Sequence, residues 1–227
     1  AQADTEGTGD GCPPMPAWQG NDANPDCDPL NTGNCAFPWP SNLYLVEDAS
    51  SPTGHRLDFG ATTLPTNFQQ IPIDPTPYRR LDGYSVGSPI MVSFPGVDTT
   101  GMATERDLAP SLADDASILL FKAAADGTMT RVPYWVELDD QQEDPALKTL
   151  FVRPGVILDE ATRYVVAFRN LHTTDGAAIE PSYPFRMLRD GTPQCDGRIT
   201  ARTPRFAEVF ASLQSAGIDI STLTLAW

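Results

Sequence analysis

TLFVRPGVILDEATRYVVAFRNLHTTDGAAIEPSYPF, residues 149–185, is the stretch whose reading decides the fold. Leu150 and Val152 alternate with Phe151 and Arg153, the period of two that marks a half-buried strand, and Pro154 with Gly155 stops it. Leu158, Thr162 and Tyr164 then lead straight into the apolar run VVAF at 165–168. That is the shape of a tyrosine corner, in which the ring packs inward and the hydroxyl bonds the backbone a few residues upstream. Asp175 and Gly176 form the next turn, after which Ile179 and Phe185 resume the apolar pattern. The bland alternative is a β-hairpin that happens to contain a tyrosine. On either reading this stretch is structural.

Working outward, further strands are predicted at 90–94, 119–121, 132–136 and 149–153. Two more follow at 164–168 and around 183–187, with turn signals such as Asp126-Gly127 between them. Before them, 43–46 alternates and a turn at 52–54 leads into Arg56 and Phe59, while the proline-rich run at 71–78 reads as extended along the surface. Six or seven short strands make an all-β chain and imply an immunoglobulin-like β-sandwich over 37–200. Residues 1–36 read as an irregular, polar, cysteine-containing arm, and 201–227 as a helix followed by a strand. In that tail Thr203 caps, Pro204 opens the helix, and Phe206, Val209, Phe210 and Leu213 share one face up to Gly217. Leu223, Leu225 and Trp227 then read as a strand with nowhere obvious to pair, so the polypeptide is expected to continue beyond Trp227.

Thirty acidic against fifteen basic residues leave a net charge of -15. Such a surface repels phosphate backbones and anionic lipid, which argues against nucleic-acid binding and membrane insertion. With 22 prolines and 17 glycines the chain is turn-dense, and no apolar run reaches the length of a membrane span. Cys12, Cys27, Cys35 and Cys195 form an even set and point to a secreted or cell-surface protein in an oxidising compartment, lipoproteins included. Three pairings are open; Cys27–Cys35 with Cys12–Cys195 is favoured over a zinc site, because the spacings are not C-x-x-C and neither His55 nor His172 is near a cysteine.

Chemistry-bearing candidates are few. Asp22, Asn24, Asp26 and Asp28 alternate as Ca²⁺ ligands do, but the glycine and bidentate glutamate of a calcium loop are missing, and a solvated acidic loop is the competing reading. Gly83-Tyr84-Ser85-Val86-Gly87 fits the G-x-S-x-G nucleophile elbow, with His172 as nominal base. No apolar strand precedes Ser85 and no helix follows it, so a turn explains the glycines better. Acidic pairs at 114–115, 139–140 and 143–144 read as solvated loops. Trp18, Trp39 and Trp135 read as buried anchors or as a sugar-binding platform.

Four segments carry a resemblance: CDPL at 27–30 with CAFPWPSN at 35–42, TGHR at 53–56, IPIDPT at 71–76 and LDGYSVGS at 81–88. They resemble the N-terminal region of large secreted or surface proteins of myxobacteria and related bacteria. Residues 92–185 are similar to bacterial Ig-like domains, including those opening extracellular lipases of the virulence-factor type. In those proteins a helix and strand like 203–227 run into an α/β-hydrolase domain. The resemblance implies the non-catalytic N-terminal portion of an exported esterase or lipase, its catalytic domain lying beyond Trp227 as the partner of this one. No cofactor is expected unless Asp22, Asn24, Asp26 and Asp28 hold Ca²⁺. The alternatives are a surface adhesion or carbohydrate-binding module and, behind it, a small hydrolase acting through Ser85.

Overall fold

The computed structural model describes residues 20–31, 33–191 and 196–227. Among them, nine strands form three antiparallel sheets, and the chain is mostly β with few helices. A small hairpin pairs β1 (Leu45–Glu47) with β2 (His55–Leu57). A three-stranded sheet runs in the order β3 (Ile90–Ser93), β7 (Thr149–Pro154), β6 (Tyr134–Leu138). A four-stranded sheet runs β5 (Met129–Arg131), β4 (Ile118–Ala123), β8 (Arg163–Arg169), β9 (Leu223–Ala226).

The two larger sheets share one core. On β7, Leu150 and Val152 are buried while Phe151 and Arg153 face outward, as alternation requires. On the outer face the Arg153 guanidinium lies 5.4 Å over the Trp135 ring and 5.2 Å over Phe151, and it pairs with Glu137. The four-stranded sheet is different. Residues 118–121, 165–168 and 223–226 are buried without interruption, the mark of a sheet covered on both faces. One face meets the other sheet, through Phe94 against Phe168 at 5.1 Å and the Tyr134 hydroxyl donating to Ile118 O at 2.6 Å. Arg163 points to the other side, where it pairs at 3.3 Å with Glu208 of a helix.

That helix belongs to the connection between β8 and β9, which holds α1 (Tyr183–Arg189), α2 (Gly197–Thr200) and α3 (Thr203–Ser215). Phe206, Val209, Phe210 and Leu213 of α3 are buried, and Phe185 of α1 meets Phe206 and Phe210 edge-on at 6.3 and 6.0 Å. A second, smaller cluster of Tyr44, Leu57 and Phe59 underlies the hairpin and takes in Trp39 and Tyr84.

The tyrosine corner forms as the sequence predicts: the Tyr164 hydroxyl accepts the Asp159 N–H at 2.8 Å, with Ala161 at φ 48° turning the chain. Four expectations are corrected. Residues 183–187 are helix, not strand, because the Ser182 side chain caps the Phe185 N–H and Pro184 occupies the first turn. The strand expected over 132–136 breaks at Pro133, which has no N–H to donate to a ladder, and there the chain leaves edge strand β5 in one sheet and enters edge strand β6 in the other. The terminal apolar run, expected to lack a partner, pairs antiparallel with β8 (Ala167 opposite Ala226, Phe168 opposite Leu225), and Trp227 exchanges both backbone bonds with Val166. At 71–78 the chain is extended only in part, since Thr76–Arg80 closes into a 3-10 turn whose entry is held by the Asp74 carboxylate on the Thr76 N–H.

Candidate functional site

Ser85 is exposed on the loop between the 3-10 turn at Thr76–Arg80 and β3, and its Oγ accepts the Gly87 N–H at 3.3 Å. That bond closes a turn. Neither a strand into Ser85 nor a helix out of it exists to hold a strained nucleophile. The next residue, Val86, accepts the Leu158 N–H at 3.4 Å, which places this loop beside the tyrosine corner at the first end of β8. His172 lies just past the other end of β8, after Asn170 and Leu171, and its carbonyl accepts the Asp98 N–H at 2.9 Å. Seven residues of β8 therefore lie between the two, roughly 20 Å at the rise of an antiparallel strand. A base must be within hydrogen-bond reach of its nucleophile, so the structure does not bring Ser85 and His172 together.

The alternating oxygen residues are occupied by protein partners. Asn24 accepts the Asp26 N–H at 3.0 Å and donates to the Thr62 hydroxyl at 2.8 Å. Asp26 accepts the Thr62 N–H at 3.0 Å and hydroxyl at 2.8 Å. Asp28 is fully buried; its carboxylate accepts the Leu30 N–H at 3.0 Å, the Ser41 hydroxyl at 3.1 Å and the Arg202 guanidinium at 2.5 Å. The cation that Asp28 meets is thus an arginine 174 residues away. Arg202 is also the residue before α3, where the sequence predicts a Thr203 cap; its side chain serves Asp28 and caps nothing. Asp22 sits in the 3-10 turn Gly20–Ala23 and its side chain lies outside the described residues. Among the described residues no group of three or more His, Cys, Asp or Glu side chains is placed to hold a metal ion.

Cys27 and Cys35 form the expected disulfide; Cys12 and Cys195 lie outside the described residues, as does Trp18. Trp39 is spent internally, stacked on Phe59 at 5.8 Å and edge-on to Tyr84 at 4.8 Å, with its indole N–H on the Ser88 hydroxyl at 3.1 Å. Trp227 stacks on Phe168 and donates to Pro40 O at 2.6 Å. Trp135 lines a surface groove.

Two concavities stand out. One, of about 280 Å³, is lined by Asp98, Thr100, Met102, Asp115, Asn170 and His172, where the loop from β3 to β4 meets the start of the β8–β9 connection. Its carboxylate Asp98, and Asp175 nearby, are held below the ordinary 3.8 by hydrogen bonds, chiefly from the Thr100 and Thr173 side chains and then from the Thr100 and Ala177 backbone. Asn170 turns the chain there at φ 50°. The other, of about 370 Å³, is lined by Val86, Pro89, Trp135, Arg153, Val156 and Ile157, at the tyrosine-corner end. Ile157 is 84 % exposed, so this groove has an apolar rim. The first suits polar or cationic groups; the second suits an apolar or planar one. Ser117 also lines the first, and in neither is a hydroxyl hydrogen-bonded to a histidine ring. Sequence reasoning missed both, because each is lined from segments more than fifty residues apart.

Comparison with protein-family models, with curated proteins and with solved structures finds no match to this chain.

Proposed function

We propose that the two larger sheets form an immunoglobulin-like β-sandwich and that the chain is the non-catalytic N-terminal portion of an exported bacterial serine hydrolase of esterase or lipase type. In this reading it supports or orients a catalytic α/β-hydrolase domain lying beyond Trp227, where the nucleophile, base and oxyanion hole reside. The observation that carries the non-catalytic part is the length of β8 between Ser85 and His172.

Strand order supports the sandwich. An Ig-type fold places B, E and D side by side in one sheet and C′, C, F and G in the other. Taking β3 to β9 as B, C, C′, D, E, F and G reproduces both observed orders, and the tyrosine corner opens F as it does in that fold. Trp39, bridged to Met91, stands where strand A runs. The disulfide is compatible with an oxidising compartment, and no helix among the described residues is long and apolar enough to cross a membrane. The hydrolase partner rests on the resemblance of 27–88 and 92–185.

Intact mass measurement of the native material, alongside hydrolysis of a short acyl ester, tests the proposal. The expected result is no turnover by this chain, with activity following a larger polypeptide. Turnover by the isolated 24.6 kDa species that disappears in Ser85→Ala sinks it. The Trp135 groove favours a second reading, a carbohydrate-binding surface module. There, oligosaccharide titration should quench tryptophan fluorescence in the native chain and leave Trp135→Ala unchanged.

A further inference from the structure

An antiparallel strand bonds its neighbour through alternate residues and leaves the others facing its outer edge. On β3 the outward pair is Met91 and Ser93, and neither meets another full strand. Met91 exchanges both backbone bonds with Trp39, at 2.8 and 2.9 Å. Ser93 exchanges both with a side chain: its N–H donates to Asn31 Oδ1 at 2.8 Å and its carbonyl accepts Asn31 Nδ2 at 2.6 Å. The amide of Asn31 thus replaces a peptide group, and both residues are buried. Gly33 lies so flat on Ser93 that a Cβ there would sit 2.3 Å from the serine Cβ. Asn31 and Gly33 belong to the loop that Cys27 and Cys35 close, and residues 27–35 include neither strand nor helix among those described. The disulfide, together with the Asp28–Arg202 ion pair and the Ser182 hydroxyl on Leu30 O, therefore holds an irregular loop over a sheet edge that would otherwise pair with any extended chain.

We infer that the Cys27–Cys35 disulfide is a latch over the outer edge of β3, and that the unlatched chain offers this edge to β3 of a second copy. Two β3 edges are self-complementary about a two-fold axis when they run antiparallel. Residues 83–97 carry no charge, so this is a place where copies with a net charge of -15 can approach without setting carboxylates against each other. Release needs a reductant, here a small dithiol. Its thiolate attacks Sγ of Cys35, the more exposed of the two; the Sγ–Sγ bond breaks, and Cys27 leaves as a thiolate that takes a proton. The second dithiol sulfur then displaces Cys35, which is protonated in turn. Two electrons and two protons pass to the protein, and the dithiol becomes a cyclic disulfide.

The test uses Cys27→Ser/Cys35→Ser, which leaves Cys12 and Cys195 untouched, and Asn31→Leu with the disulfide intact. Amide exchange at Met91 and Ser93 should quicken about tenfold or more in the double variant, and at Ser93 in Asn31→Leu, while Leu120 and Val166 in the other sheet keep their protection. Sedimentation should show the double variant associating as concentration rises and the native chain unchanged. Unaltered edge protection in either variant overturns the inference. So does protection lost through both sheets, which would make the bond a staple of the whole fold. A double variant with a fast-exchanging edge that stays monomeric rules out the second copy.

Discussion

Asp28 has no solvent exposure, so its charge depends on the three donors that converge on it, of which Arg202 brings the opposite charge. Removing one partner of a buried ion pair leaves the other uncompensated, which costs about 3–5 kcal/mol. Arg202→Met should therefore lower stability in urea unfolding by that amount, whereas Arg205→Met, whose pairing with Glu208 is exposed, should change it by less than about 1 kcal/mol. Equal, small losses for both would show that the buried pair is not holding 27–35 to the start of α3. The same residue marks a limit of reading locally. Alternation of Asp22, Asn24, Asp26 and Asp28 describes spacing along the chain, and spacing does not reveal that a guanidinium arrives from residue 202.

At the scale of elements, α3 was legible because its apolar face repeats at helical spacing and Pro204 and Gly217 punctuate it. Its face closes the outer side of the four-stranded sheet's core, and Leu213 is wholly buried. Leu213→Ala should cost about 2–5 kcal/mol through lost transfer energy and a residual cavity, read from the urea midpoint at unchanged slope. A loss under about 1 kcal/mol would mean that the helix only rests on the sheet. The stretch at 183–189 shows the reverse case. Tyr183, Phe185 and Met187 alternate as a strand does, yet Phe185 and Leu188 also satisfy helical spacing, and a run this short fits both periods. The Ser182 cap and Pro184 decided it.

The whole molecule carries a pH signature. Burial pushes the hydroxyls of Tyr44, Tyr84 and Tyr134 well above the ordinary 10.0, and for Tyr44 the Asp28 charge adds to it. Each donates to a backbone carbonyl: Cys35, Ser41 and Ile118. In the unfolded chain these groups ionise near 10, in the folded chain only higher, so the folded state holds more protons above that pH. Their contribution is complete below about pH 10 and is lost as pH rises beyond it. Because Tyr134 lies in the main core and Tyr44 and Tyr84 in or against the smaller cluster, both should melt in the same alkaline range. The thermal midpoint, followed by circular dichroism from about pH 8 to about pH 11, should hold and then fall above pH 10. A midpoint that stays level to pH 11 would show that these hydroxyls gain water without unfolding.

What the sequence by itself determined is what neighbours along the chain determine. The alternation in 149–153, the leucine, threonine and tyrosine that turn into β8, the apolar face of α3 and the short Cys27–Cys35 loop all depend on residues within a few turns of one another. Tertiary structure alone decided that β9 would lie beside β8, that Pro133 would pass the chain from one sheet to the other, and that the Asp28 carboxylate would meet Arg202. It also put the length of β8 between Ser85 and His172. Each of these depends on contacts between residues far apart in sequence, whose energies come from burial and pairing in three dimensions, and no periodicity or spacing along the chain encodes them.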